Sequence, residues 1–127
     1  MKSKIKKYSK NSIQLASRSL LNGSTIIVPT DTVYGIAALA SNKKAVEKIF
    51  LIKKRPKSLP LIIFVKSMRD ATKIAEFSPL DIALANELWP GPLTLILKKR
   101  KSRIYNGDKR LSKIGIRIPK NKTVLDL

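Results

Sequence analysis

Apolar positions along the chain switch between a helical and an extended period, and the switches mark the elements. Ile13, Ala16, Leu20 and Leu21 recur at helical spacing, and Gly23 follows as a stop. Residues 24–29 form a short β-branched apolar run that predicts a strand, and residues 30–35 are a polar, turn-rich segment directly after it. Residues 36–40 predict a second short strand. Ser41 stands where it would cap a helix over residues 42–52, with Ala45, Val46, Ile49, Phe50 and Ile52 on or near one face. Residues 53–60 form a loop with two prolines and four cations, and residues 61–65 predict a buried strand. Ser67 and Asp70 resemble a capping box that opens a helix running to about Phe77. Ser78 and Pro79 open the next helix as cap and first residue. Leu80, Leu84 and Leu88 share a face of it, and Pro90 ends it. Residues 94–98 and 114–118 predict strands on either side of a basic loop, residues 100–113, and Pro119 closes the second. Strands alternating with helices indicate an α/β domain.

Composition narrows the picture. A chain of 127 residues with 43% apolar content suits one domain with a real core. Residues 1–10 are lysine-rich and read as a basic arm or the lead-in to the first helix, with residues 11–127 as the domain. No apolar run is long enough to span a bilayer, so no membrane role is expected. There is no Cys and no His. That rules out thiol chemistry and a histidine triad, and it removes the commonest metal ligand. Absent cysteines fit a cytoplasmic protein. Lys and Arg number 27 against 8 acids, a net charge of +19. Such a field attracts nucleotides, RNA or an anionic membrane surface, yet a solvated lysine-rich surface gives the same number. Only clustered, positioned charges discriminate.

Several phosphate and catalytic signatures are missing: no Walker loop, no dinucleotide-binding glycine fingerprint, no metal-ligand set and no tight carboxylate pair. Three segments stand out. Pro29-Thr-Asp-Thr-Val-Tyr-Gly35 gathers two hydroxyls, a carboxylate and a phenol at the C-terminal end of a strand, where α/β sheets place ligands. Read alone, it is more simply a polar turn capped by Gly35. Lys53-Lys-Arg-Pro56 ends a helix, where cations suit the dipole. The same cluster offers a phosphate clamp, since the planar fork of Arg fits phosphate oxygens, and Pro56 and Pro60 would stiffen the loop. Trp89-Pro-Gly-Pro-Leu-Thr-Leu95 is a turn between helix and strand. Arg117 lies in an apolar strand, where alternation puts it with Gly115, opposite Ile116 and Ile118. That face is either solvent or the inside of a cleft that binds a carboxylate.

Taken in order, Pro29–Gly35, Lys53–Leu61, Trp89–Thr94 and Arg117–Pro119 resemble the ordered motifs of the YrdC-type threonylcarbamoyl-AMP synthase family. The resemblance runs from about Ser12 to the end of the chain. It implies an open, twisted, mixed α/β sheet around a concave basic cleft. It implies a nucleotidyltransferase reaction in which L-threonine and bicarbonate give N-carboxythreonine, whose carboxylate attacks the α-phosphate of ATP. The products would be threonylcarbamoyl-AMP and pyrophosphate, and a partner transferase would move the threonylcarbamoyl group to tRNA. By the same resemblance Lys53 and Arg55 are the catalytic, ATP-binding cations, and Thr32 and Arg117 hold threonine. Mg²⁺ would ride on ATP, with no protein metal site.

The chain also departs from the family. Leu59 stands where many relatives carry a polar ATP contact, Phe64 where many carry a His near threonine, and Lys113 where a Thr commonly lies near the nucleotide. The family continues past the Arg-x-Pro strand into a segment with a Ser-x-Asn motif, and no such motif follows Arg117 here. The expectation is a C-terminally truncated or split form, its sheet incomplete at the C-terminus, poorly active until a second chain supplies the rest. The competing readings are a non-catalytic RNA-binding module, a decayed split-gene fragment, and a carbamoyl-transfer role like that of hydrogenase-maturation proteins with YrdC-like domains.

Overall fold

The computed structural model describes residues 6–30 and 34–127. Its elements follow the order α1 (Lys10–Leu21), β1 (Ile26–Val28), β2 (Gly35–Ala37), α2 (Lys43–Lys53), β3 (Ile63–Phe64), α3 (Met68–Ile74), α4 (Pro79–Leu88), β4 (Leu95–Lys98), β5 (Lys113–Arg117) and α5 (Lys122–Leu125). The mixed α/β class expected from the alternation is what forms. Among the described residues the strands fall into two sheets. β1 and β2 make an antiparallel pair, while β3, β5 and β4 make a mixed sheet in that order. β5 is its centre, parallel to β3 and antiparallel to β4.

The local signals explain most boundaries. In α1, Ser9 and Ser12 cap each other's backbone, and Arg18 lies in the last turn. After it, Gly23 takes φ +84°, and the amides of Gly23 and Ser24 reach back to the carbonyls of Leu20 and Ser19. This Schellman closure satisfies carbonyls that the helix leaves unpaired. α4 starts as expected, with Ser78 as cap, Asp81 completing the box and Pro79 in the first turn. α2 starts one residue later than expected. Its cap is Asn42, whose side chain accepts from the Ala45 amide at 3.1 Å, and not Ser41. α3 stops at Ile74, short of Phe77, because Ala75 turns extended and bridges to Lys99.

The main core lies between the mixed sheet and α3 and α4. Ile63, Leu95, Leu97, Ile114, Ile116 and Ile118 pack there with Ala71, Ile74, Ala85 and Trp89. A smaller cluster joins Val46 and Phe50 of α2 to Tyr105. Two apolar stripes differ in how far they are buried. Ile52 is exposed, because the buried stripe of α2 is Ala45, Val46, Ile49 and Phe50. The Leu80, Leu84 and Leu88 face of α4 points outward, and the helix rests on the sheet through the small side chain of Ala85. No helix of the described residues is long and apolar enough to cross a membrane. Within the segment read as a basic arm, Tyr8 donates to Asp126 at 2.7 Å and so meets α5.

Candidate functional site

The mixed sheet has one covered face and one open face. Alternation decides which residues stand on which. Ile63, Ile114, Ile116, Leu95 and Leu97 enter the core. Phe64 of β3, Lys113, Gly115 and Arg117 of β5, and Ile96 and Lys98 of β4 stand on the other face, flanked by Ile62 and Thr94 at the strand starts. Ile96 is 69% exposed, so this apolar surface is left uncovered. Gly115 has no side chain between Thr94 and Ile62, which leaves a groove across the middle strand.

Arg117 is at one end of that groove. It is only 7% exposed, so of its two sequence readings the solvent face is excluded. Its Nε donates to the Gly91 carbonyl at 3.0 Å, and its guanidinium carbon is 5.8 Å from the centre of the Phe64 ring. The turn that supplies this carbonyl is itself tied down. The Gly91 amide donates to the Ile118 carbonyl, and the Trp89 indole donates to the Leu93 carbonyl at 2.7 Å. The Trp89–Pro90 peptide is cis. A Cβ at position 91 would come within 2.5 Å of the Leu88 carbonyl oxygen, so only glycine brings the turn this close. The structure thus brings Phe64 and Arg117 together. Thr32 lies outside the described residues.

Arg55 belongs to the loop after α2. That helix closes through Lys54, a non-glycine residue held in the left-handed region at φ 51°, with Lys54 and Arg55 amides bonded to the Leu51 and Phe50 carbonyls. The closure swings Arg55 over the loop. Its Nε donates to the Leu59 carbonyl at 2.7 Å and its Nη2 to the Pro60 carbonyl at 3.0 Å. The other guanidinium N–H groups have no protein acceptor among the described residues. Lys53 ends α2 and is exposed, and Leu59 is 53% exposed on the loop surface. Lys57 reaches Glu47 of α2 at 3.6 Å, and this carboxylate raises the lysine's pKa.

The segment read only as a basic loop turns out to be the scaffold for this one. Asn106 is buried and trades two hydrogen bonds with Leu61, its side chain donating to the Leu61 carbonyl and its own carbonyl accepting from the Leu61 amide. The Asp108 amide donates to the Lys57 carbonyl at 2.8 Å. Gly107, at φ +146°, passes so close to Lys57 and Pro60 that a Cβ would clash with the Lys57 carbonyl at 2.8 Å. Asp108 is bound by Arg110, which lowers its pKa to about 2. Sequence reasoning missed Asn106, Gly107 and the Gly91 carbonyl. The Asn-Gly-Asp run is a turn signature that marks the first two.

Between the Pro60–Leu61 end of the loop and the sheet lies a cleft of about 280 Å³, lined on the sheet side by Ile96, Lys113 and Gly115. Lys113 is therefore in the cleft, and Arg55 and Leu59 are joined to it through Pro60. A second hollow of about 350 Å³ lies at the end of α2 beside Arg55, Lys54 and Lys57. The first cleft combines an apolar floor, a cation, and a guanidinium-braced loop at the rim. No group of three or more acids that could hold a metal occurs among the described residues.

The chain matches the Sua5_yciO_yrdC family model, described as Telomere recombination, over residues 18–127. A Methanocaldococcus jannaschii protein is 38% identical over 120 residues, which are 93% of this chain and 56% of that protein. The threonylcarbamoyl-AMP synthase of Pyrococcus abyssi is 36% identical over 118 residues, 91% of this chain and 34% of that enzyme. The crystal structure of Pyrococcus abyssi Sua5 complexed with L-threonine superposes with a TM-score of 0.82 at 34% identity, covering 95% of this chain and 36% of that one. The chain thus spans between a third and about half of the length of these relatives. With nearly its whole length matched in sequence and in fold, the chain belongs to the Sua5/YciO/YrdC family.

Proposed function

We propose that the chain carries the threonine- and ATP-handling part of a threonylcarbamoyl-AMP synthase. The observation that supports this best is the open sheet face. There Arg117, buried and held at its Nε by the Gly91 carbonyl, stands in contact with Phe64, and the groove leads past Gly115 to the cleft that Lys113 lines. In this reading Arg117 pairs with the threonine carboxylate, with Thr32 and Phe64 completing that subsite. ATP lies toward Lys113 and Leu59, with Lys53 and Arg55 on its phosphates and Mg²⁺ carried by the nucleotide.

The reaction asks three things of the protein. The threonine nitrogen attacks bicarbonate carbon, water leaves, and the resulting carbamate oxygen attacks the α-phosphorus as the bond to pyrophosphate breaks. Charge builds on the phosphoryl oxygens and the leaving group, so fixed cations supply the main stabilisation. Arg55 is suited to this because its fork is already oriented by two loop carbonyls. Holding the two substrates on one face provides proximity. An apolar floor limits the water that would decompose the carbamate. The product would be passed to a transferase that modifies tRNA.

The test is release of pyrophosphate by the chain, alone and with the remaining segment of a relative added in trans. Release that needs threonine, bicarbonate and ATP together, and that drops at least tenfold in Arg55→Ala, is the expected result. Absence of release under both conditions overturns the reading. A second reading, direct RNA contact, rests on Arg100, Lys101, Arg103 and Lys109, all exposed between β4 and β5. It predicts RNA affinity that falls steeply with salt and ignores Arg55→Ala.

A further inference from the structure

We propose that Lys98 and Lys113 form a paired-ammonium site for the phosphate groups of the nucleotide, with Lys98 as a contact that no family motif identifies. The proposal rests on the synthase reading for its ligand, and on register for its geometry.

The two lysines are direct partners across the antiparallel β4–β5 pair. Hydrogen bonding fixes how close their side chains come. The Lys99 amide donates to the Ser112 carbonyl, so that neighbouring pair is a hydrogen-bonded one. Pair types alternate along an antiparallel ladder, which makes Lys98–Lys113 a non-hydrogen-bonded pair, the type with the closer side chains. Such pairs place Cβ atoms roughly 4.5–5.5 Å apart on one face. Both side chains stand on the open face and both are exposed. The Lys98 backbone faces the other way and accepts from the Glu76 amide.

Like charges directly opposite in a sheet repel. Here only solvent screens the repulsion: no carboxylate of the described residues lies within ion-pair distance of either ammonium. A few other cations are paired, Lys57 with Glu47, Arg110 with Asp108 and Lys122 with Asp126; with 27 cations to 8 acids most are not, and what sets Lys98 and Lys113 apart is that they stand directly opposite each other beside a cleft. With Lys113 lining the cleft and Lys98 directly across from it, an anion bound there would meet both ammonium groups. Lys113 lines the cleft, Ile96 of the same strand as Lys98 floors it, and Pro60 links it to the Arg55 loop. A polyphosphate chain fits the arrangement. Its neighbouring oxygens carry several negative charges, so two ammonium groups and one guanidinium are engaged at once. A single carboxylate cannot do this.

The experiment uses the full chain and titrates tripolyphosphate, ATP and L-threonine by calorimetry into the wild type, Lys98→Gln, Lys113→Gln and Lys10→Gln, a control with the same loss of charge on α1. Tripolyphosphate and ATP should each bind about tenfold more weakly to Lys98→Gln, as expected for a charge-assisted contact. Threonine affinity and the Lys10→Gln variant should be unchanged. The melting temperature of unliganded Lys98→Gln should hold or rise, since a repulsion is removed, and that separates a lost ligand contact from a damaged fold. Equal binding of tripolyphosphate by wild type and Lys98→Gln overturns the proposal, as does an equal loss in Lys10→Gln or no polyphosphate binding at all. The two readings fail separately. Lys98-dependent tripolyphosphate binding without pyrophosphate release keeps the site and removes the synthase. Threonine-dependent release unchanged by Lys98→Gln does the reverse.

Discussion

Arg117 reaches its place because a glycine 26 residues earlier lets a turn approach the end of β5. That dependence makes Gly91 the most consequential small residue of the site. In Gly91→Ala the new Cβ meets the Leu88 carbonyl, and backbone has to move. The expected cost is about 1–3 kcal/mol in urea unfolding, the usual range for overpacking. Threonine affinity should fall with it, because the carbonyl that orients Arg117 shifts. Gly35→Ala is the matched comparison: nothing lies within 4 Å of a Cβ there, so stability should change by less than about 0.5 kcal/mol. Equal effects at the two glycines would show that the turn does not set the position of Arg117. Strand alternation in the sequence correctly put Arg117 opposite Ile116. It carried no information on whether that side was covered, because the cover comes from a turn in another part of the chain. The same holds for Arg55. Its motif was legible, but its partners, the Leu59 and Pro60 carbonyls, depend on a left-handed Lys54 that no propensity favours.

Helix ends and helix faces differ in how well a sequence exposes them. Ser78-Pro79 and Gly23 act within one turn of chain, and both did what their chemistry predicts. At α2 two adjacent residues compete for one role, and the longer Asn42 side chain wins it from Ser41 while sitting against the tight Gly23 turn. Asn42→Ala should therefore lower stability by about 1 kcal/mol, and Ser41→Ala by no more than about 0.5 kcal/mol. The reverse order in chemical unfolding would return the cap to Ser41. Faces are harder to read. Leu80, Leu84 and Leu88 do share a face, as their spacing requires, but the helix lies on the sheet through Ala85. Periodicity tells which residues stand together. Which stripe meets the sheet depends on how near the helix can come, and a small residue allows the closer approach.

For the molecule as a whole, alternation of strand and helix was enough for the fold class, and four ordered motifs were enough for the family. The division of the strands into two sheets was not legible, because it depends on long-range pairing of β5 with both β3 and β4. Net charge, +19, was the plainest number in the sequence and the least specific. The structure gives it a direction, since Lys113 lines a cleft, Lys98 is its cross-strand partner, and Arg55 braces the Pro60 end of the loop that borders it. A site of that kind should respond to salt according to the charge of its ligand. Screening lengths fall from roughly 10 Å at 0.1 M to 3 Å at 1 M salt, so the summed field of distant lysines is removed while short contacts persist. ATP carries several negative charges and should bind several-fold more weakly across that range. In the proposed reading threonine, a zwitterion, is held by a short contact to buried Arg117, and its affinity should stay within about twofold, because buried pairs are screened much less. Titrating each ligand at the two salt concentrations separates the cases. If the two affinities fall in parallel, the cations act as a general surface charge and not as a positioned site.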